Sequence, residues 1–235
     1  MMTLTLITGA TAGLGRALAM ALDEAGHRLI LTGRDPERLR TLRLALPDAL
    51  LVPGDVTDPA HRLALVEAVG DRPLDVLVHN ASDLGPSPMV PLADLTPDRF
   101  RVILEANVVA PLALSGSLLP ALRRAVAPSL VTISSDAAVE RYETWGGYAA
   151  SKAALDRLAG TWAVEEPRLR VYAVDPGDMR TAMHQAAFPG EDISDRPLPE
   201  EAAVPGIRAL MGSRPASGRY RAAELAGSAR TEGAA

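Results

Sequence analysis

Short aliphatic runs alternate along the chain with longer stretches whose apolar residues recur every three or four positions. The runs TLTLIT (3–8), HRLILT (27–32), ALLVPGD (49–55), LDVLVHN (74–80), SLVTISS (129–135) and RLRVYAVDPG (168–177) read as strands. Their near-continuous apolar character suits strands covered on both faces. Between them lie helical patterns. Residues 13–26 place Leu14, Leu18 and Leu22 one turn apart, with Gly26 as a stop. Residues 35–46 open with Asp35 as a cap candidate and Pro36 at the first helical position. Residues 58–70, 97–126 and 147–166 are also helical, with Pro111 a point of disturbance in the longest. Repeated strand-then-helix units predict an α/β fold, a doubly wound parallel sheet with helices on both faces, as one domain over residues 1–223. Ligands in such sheets lie beyond the carboxyl ends of the strands, so the Gly-, Asp- and Ser-bearing segments there should gather on one edge. Residues 178–216, rich in Pro, Met and acidic residues, lack a strand pattern and are expected to cover the site; residues 224–235 are expected to fray.

Composition narrows the function classes. A chain of 235 residues with 48% hydrophobic and 23% charged residues suits one globular domain. A net charge of −5 argues against a nucleic-acid face. The chain has no cysteine, so disulfides and thiolate metal sites are excluded, and no metal is expected. MMTLTLITGA runs straight into the first strand without a basic stretch or cleavage site, so a cytoplasmic protein is expected. No apolar run approaches about 20 residues, and no membrane span is expected. The usage is also skewed: one Lys against 23 Arg, and only two Asn. Drift of this kind, as in a GC-rich genome, makes the positions of the scarce survivors informative.

The lone lysine, Lys152, follows Tyr148 by four residues in WGGYAASKAALDRL, so the two share one helix face. A phenol with a pKa near 10 is a poor base at neutral pH, and an adjacent ammonium favours the phenolate. Four Tyr and one Lys placed at random would give this spacing roughly once in sixty trials. The first strand is followed by TGATAGLGRA, whose Gly9, Gly13 and Gly15 permit a tight turn and let backbone N–H groups approach a pyrophosphate at a helix N-terminus.

The Gly-x₃-Gly-x-Gly spacing after Thr8 resembles the short-chain dehydrogenase/reductase family, in its compact single-domain branch, which implies a Rossmann-like fold. GDVTD with Asp55, HNAS with Asn80 and Ala81, and DPGDMRT with Pro176, Gly177 and Thr181 match family segments in order, over roughly residues 3–181. The resemblance implies cofactor contacts at Thr8, Gly9, Gly13, Leu14, Gly15, Asp55, Val56, Asn80, Ala81, Tyr148, Lys152, Pro176, Gly177 and Thr181. It further implies that Tyr148 is the general acid or base, that Lys152 also binds the cofactor ribose, and that Ser135, thirteen residues before Tyr148, orients the substrate oxygen, with Ser134 as the fallback. Asn107, one of the two asparagines, matches the position that holds a helix irregularity and a water linked to the lysine. Two residues depart from the family pattern: His79 and Ser82 replace an Asn and a Gly. Ser82 is tolerable if its φ is not positive, and His79 reads as a packed, hydrogen-bonded side chain.

The second strand ends in Gly33 rather than a carboxylate, and Arg34 follows, which in the family implies NADP(H); Asp35, if turned inward, would suit NAD(H) instead. The expected activity is reversible hydride transfer between NADP(H) and a small, fairly apolar carbonyl compound or secondary alcohol. Candidate pocket contacts are Met89, Trp145, Met179, Met183 and Phe188. The alternative is a non-catalytic dinucleotide-sensing regulator of the same fold, which would leave the Asn-Ser-Tyr-Lys set unexplained. Lys152 and the intact glycines argue against a halohydrin dehalogenase. The resemblance also implies a homodimer or homotetramer through helices 97–126 and 147–166.

Overall fold

Six strands coincide with the aliphatic runs: β1 (Leu4–Ile7), β2 (Arg28–Gly33), β3 (Leu50–Pro53), β4 (Val76–His79), β5 (Ser129–Ile133) and β6 (Arg170–Asp175). A seventh, β7 (Gly218–Arg221), has no counterpart in the sequence pattern. In this computed structural model, which describes residues 2–225, all seven pair in parallel in the order β3-β2-β1-β4-β5-β6-β7. The tail expected to fray falls almost wholly outside the described residues. Strand order reverses between β1 and β4, which opens the crevice where such sheets bind ligands.

The helices are α1 (Gly13–Glu24), α2 (Pro36–Ala45), α3 (Pro59–Val69), α4 (Pro97–Leu104), α5 (Ala110–Arg124), α6 (Gly146–Glu165), α7 (Ala182–Ala187), α8 (Pro199–Ala202) and α9 (Val204–Ser213). Alternation along the strands feeds two apolar layers: Leu29 and Leu31 of β2 join Leu18 of α1 and Ile207 of α9, while Ile30 joins Leu65 of α3 and Leu118 of α5. Each such buried aliphatic side chain contributes about 1.5–3 kcal/mol.

Three expectations change. The long helix is interrupted by a π-turn at Glu105–Val109, whereas Pro111 sits harmlessly in the first turn of α5, where its missing N–H costs little. Residues 199–213 do not cover the site; Ala203, Val204, Ile207 and Leu210 are core residues packed on the α1 side, which leaves residues 178–187 of that segment against the cavity. Taken through the π-turn, Pro97–Arg124 forms 28 residues of helix with a mean hydropathy of 1.7, the length and character of a membrane span by composition. Its inward residues Ile103, Leu114, Leu118 and Leu122 are core, and Val102, Val109 and Leu112 face outward.

Candidate active site

The glycine turn is tied down from both sides. Gly9 and Gly13 have φ of +66° and +50°, conformations that side chains disfavour. The Thr8 hydroxyl accepts the N–H groups of Asn80 and Ala81, both at 3.1 Å, and donates to the Val78 carbonyl at 3.3 Å. Asn80 Nδ2 donates to the carbonyls of Thr8 and Gly9, each at 3.0 Å. A Cβ on Gly15 would lie 2.3 Å from the Gly9 oxygen, so α1 can start this close to the turn only with glycine there. Thr8 and Gly15 thus hold the turn from behind, without lining the cavity in front of it, as a direct cofactor contact would require; Gly9, Gly13, Leu14, Asn80 and Ala81 do line it.

That cavity, about 620 Å³, runs along the carboxyl ends of the strands. At one end stand Arg34, Arg38, Asp55 and Val56. Asp35 caps α2: one oxygen accepts the N–H groups of Glu37 and Arg38 at 3.0 and 3.1 Å, and the other meets Arg38 Nε at 3.1 Å. These bonds tie it to the helix start at the border of the cavity. A Cβ on Gly33 would lie 2.5 Å from Thr11 Cγ2, so the strand tip has no room for a carboxylate side chain without displacing Thr11. Among the described residues Arg34, with 71% of its side chain exposed, reaches only Asp55, at 3.7 Å. Burial pushes the Asp55 carboxyl up, but the N–H and hydroxyl of Thr57 at 2.9 and 2.8 Å, together with Arg34 and His61, hold it below its ordinary value.

The other end gathers Ser135, Tyr148 and Lys152, with Pro176, Gly177 and Thr181 opposite. Ser134 points away, donating to Asp156 at 2.8 Å. Tyr148 is buried, and burial pushes its phenol up from its ordinary value; Ser82 and Ser135, hydrogen-bonded to it, pull the other way, while Asp136 and Asp175 push it further up. The expectation that Lys152 lowers the phenol is not met in the chain alone. Lys152 Nζ lies 5.4 Å from the ring centre, donates to the Ile133 carbonyl at 2.7 Å, and is itself brought down to about 8 by burial, against the pull of Asp156. Desolvation dominates both groups.

Asn107 sits in the π-turn with every side-chain hydrogen-bonding position filled. Its Nδ2 donates to the Asp83 carbonyl at 2.8 Å and to Ser151 Oγ at 2.9 Å; its Oδ1 accepts from Asp83 N at 2.7 Å and Ser82 Oγ at 3.1 Å. A water there would have to be held by its main chain. Ser82, whose φ is not positive, therefore joins Tyr148 to the π-turn. His79 is packed as expected: its Nε2 shares a 2.7 Å hydrogen bond with Ser115 Oγ, and burial lowers it to about 3.

Arg219 of β7 was missed in the sequence. It donates to the Ser135 carbonyl at 2.8 Å and meets Asp156 at 3.1 Å and Asp175 at 3.3 Å, tying together the ends of β5 and β6 and the helix that carries Lys152. A four-residue strand reading GRYR carries no aliphatic signal; only its pairing with β6 reveals it.

Over this end, Trp145 meets Tyr148 and Phe188 edge-on or tilted, both at 5.9 Å between ring centres. Trp145, Met179 and Met183 line the cavity; Phe188 instead backs Trp145, and Met89 packs on the cluster of Leu84, Ala137 and Tyr148.

A model of the short chain dehydrogenase family matches residues 3–192. The uncharacterized oxidoreductase YciK of Escherichia coli is 35% identical over 217 residues, covering 88% of this chain and 85% of that protein. Sepiapterin reductase of Bos taurus is 33% identical, covering 79% and 76%. A short chain dehydrogenase from Shigella flexneri, solved in complex with NADP, superposes with a TM-score of 0.87 at 32% identity, covering 94% and 96%. Another from Escherichia coli CFT073, complexed with NADPH, gives 0.86 at 33% identity with the same coverage. The chain belongs to the short chain dehydrogenase family, and its class of chemistry is nicotinamide-dependent oxidoreduction.

Proposed function

We propose that this chain transfers hydride reversibly between NADP(H) and a small carbonyl compound or the corresponding secondary alcohol. The observation that carries the reading is the buried Tyr148 phenol facing the Ser135 hydroxyl at the end of the cavity that begins at the glycine turn. The residues fit a dinucleotide: the turn's backbone faces the cavity, and the 2′-phosphate of NADP(H) would find Arg34 available and Asp35 already spent on its helix cap. Two similar structures hold NADP and NADPH, in support of the same choice.

When bound, NADPH supplies the hydride for the carbonyl carbon and is oxidised to NADP⁺. Tyr148 delivers the proton to the carbonyl oxygen in reduction and, as phenolate, removes it in oxidation. Ser135 donates a hydrogen bond to that oxygen as charge develops on it. Lys152, near 8, can pass a proton onward close to neutral pH. Asn107 and Ser82 fix the backbone and hydroxyls around the phenol.

Fluorescence titration with NADPH and NADH tests the cofactor, and NADPH oxidation over a carbonyl panel tests the reaction. Tyr148→Phe is expected to retain NADPH binding and to lower turnover by about 10²–10⁴-fold. Binding without turnover over the whole panel would favour the sensor reading. A homodimer or homotetramer is proposed from the family resemblance and the outward Val102, Val109 and Leu112; light scattering checks it.

A further inference from the structure

The Ser135 hydroxyl is committed to a partner outside the reaction. It lies 2.9 Å from Asp136 Oδ1, and since a carboxylate offers no proton, Ser135 must be the donor. Its oxygen accepts the Ala137 N–H at 3.2 Å, so while Asp136 holds the proton only a lone pair faces Tyr148, and the downward pull of Ser135 on that phenol is felt only when the proton turns away from Asp136. In this state Ser135 faces the site as an acceptor, whereas polarising a carbonyl requires it as a donor. Asp136 is well supplied without it: Ala137 N–H reaches the same oxygen at 2.7 Å, and the Tyr142 hydroxyl reaches Oδ2 at 2.8 Å. None of these partners carries a positive charge.

The charges around the cavity point the same way. Its arginines, Arg34 and Arg38, stand at the dinucleotide end, and Lys152 is buried beneath the phenol on the Ile133 carbonyl. At the substrate end, Asp136 and Asp178 line the cavity; among the described residues Asp178 has Arg196 at 3.8 Å and the His184 ring at 3.9 Å. Apart from the buried Lys152, an anionic substrate meets no arginine or lysine lining that end among the described residues. A substrate that brings its own donor to Asp136 replaces the bond that Ser135 gives up.

We propose that Asp136 selects the substrate: it holds the Ser135 hydroxyl until a carbonyl compound arrives with a hydrogen-bond donor, an ammonium or hydroxyl group, next to the reacting carbon. The donor takes over Asp136 Oδ1, Ser135 turns to the carbonyl oxygen, and the reaction proceeds from there. This rests on the carbonyl-reductase reading above. Neutral carbonyl compounds without a donor are turned over poorly, and those with an adjacent carboxylate worst.

The test uses four phenyl ketones that differ beside the carbonyl: 2-aminoacetophenone, 2-hydroxyacetophenone, acetophenone and benzoylformate. Each is assayed with NADPH on the wild-type chain and on Asp136→Asn and Asp136→Ala. Comparing ratios between proteins cancels the intrinsic reactivity of each ketone. A charge-assisted hydrogen bond corresponds to roughly ten- to a hundredfold, so the wild type should favour 2-aminoacetophenone over benzoylformate by about a hundredfold and 2-hydroxyacetophenone over acetophenone by about tenfold in kcat/KM. Both ratios should fall to within about threefold in Asp136→Ala, with an intermediate fall in Asp136→Asn, which keeps the shape but not the charge. Ratios unchanged by either substitution, or a wild-type preference for benzoylformate or acetophenone, would overturn the proposal. NADPH titration reports whether each variant is folded. Where turnover is too slow to rank, binding of the same four compounds to the NADPH complex is ranked instead, and equal binding overturns the proposal. A wild-type chain that does not bind NADPH at all defeats the underlying reading, a result distinct from unaltered selectivity.

Discussion

The two ends of the cavity are built by different means. The dinucleotide end is mostly main chain: positive-φ glycines, a helix start, and short-range caps such as Asp35 onto Glu37 and Arg38 and Asp55 onto Thr57. The catalytic end is a buried side-chain assembly drawn from distant parts of the chain: Arg219 onto the Ser135 carbonyl, Asn107 onto Asp83 and Ser151, Ser134 onto Asp156. A main-chain cradle tolerates exchange of many exposed side chains but not of its glycines. A side-chain assembly fails through any member whose loss leaves another polar group buried and unpaired.

The sharpest way to break this contrast is to remove Arg219. Arg219→Met leaves Asp156 without its ion-pair partner, Asp175 with Arg221 alone at 3.9 Å, and Ser135 without its backbone tether, so a loss of about 3 kcal/mol in unfolding free energy is expected. Turnover should fall about a hundredfold through displacement of Ser135, while NADPH affinity, set at the other end, moves little. Denaturant melts, kinetics and titration on one variant separate the three quantities; a parallel loss of NADPH binding would show that the two ends are not independent.

Arg34→Ala probes the dinucleotide end. NADPH should bind about ten- to a hundredfold more weakly and NADH about as before, since the contact at stake is charge-assisted and confined to the 2′-phosphate. Fluorescence titration with both cofactors measures it, and equal weakening of the two would remove Arg34 from that role.

The last effect shows only in the response to acid. His79, buried against Ser115, titrates near 3 in the folded chain against 6.5 when exposed. The unfolded chain therefore takes up the proton first. The contribution to stability is full above about pH 6.5 and is lost on acidification toward 3, at up to about 1.4 kcal/mol per pH unit. His79→Asn should flatten this slope in melts between pH 4 and 7; an unchanged slope would assign the acid sensitivity elsewhere.

The same contrast explains what could be read in advance. Six strands and the glycine turn were legible because burial on both faces and tight turns dictate local residue choice. Tyr148 and Lys152 were legible because one helix turn brings them together, and Asn107 because an amide inside an apolar helix needs a reason. Arg219 and Asp156 were not legible: each is one charge among many, and only tertiary pairing makes them partners. Residues 199–213 read as cover because Pro and acidic residues mask the spacing of Val204, Ile207 and Leu210, which α1 completes as a core face. Asp136 shows the same limit, since its meaning comes from the direction of one serine proton.

The placement of β7 at the sheet edge beside β6 has a consequence for how the protein is made. Synthesis from the N-terminus delivers the glycine turn, its Asn80 tether and the first four strands within the first third of the chain. The guanidinium that fixes the serine loop emerges at residue 219, 84 positions after the serine it holds. The lining of the dinucleotide cavity is thus synthesised, down to Thr181 and beyond, before the residue that steadies the serine loop.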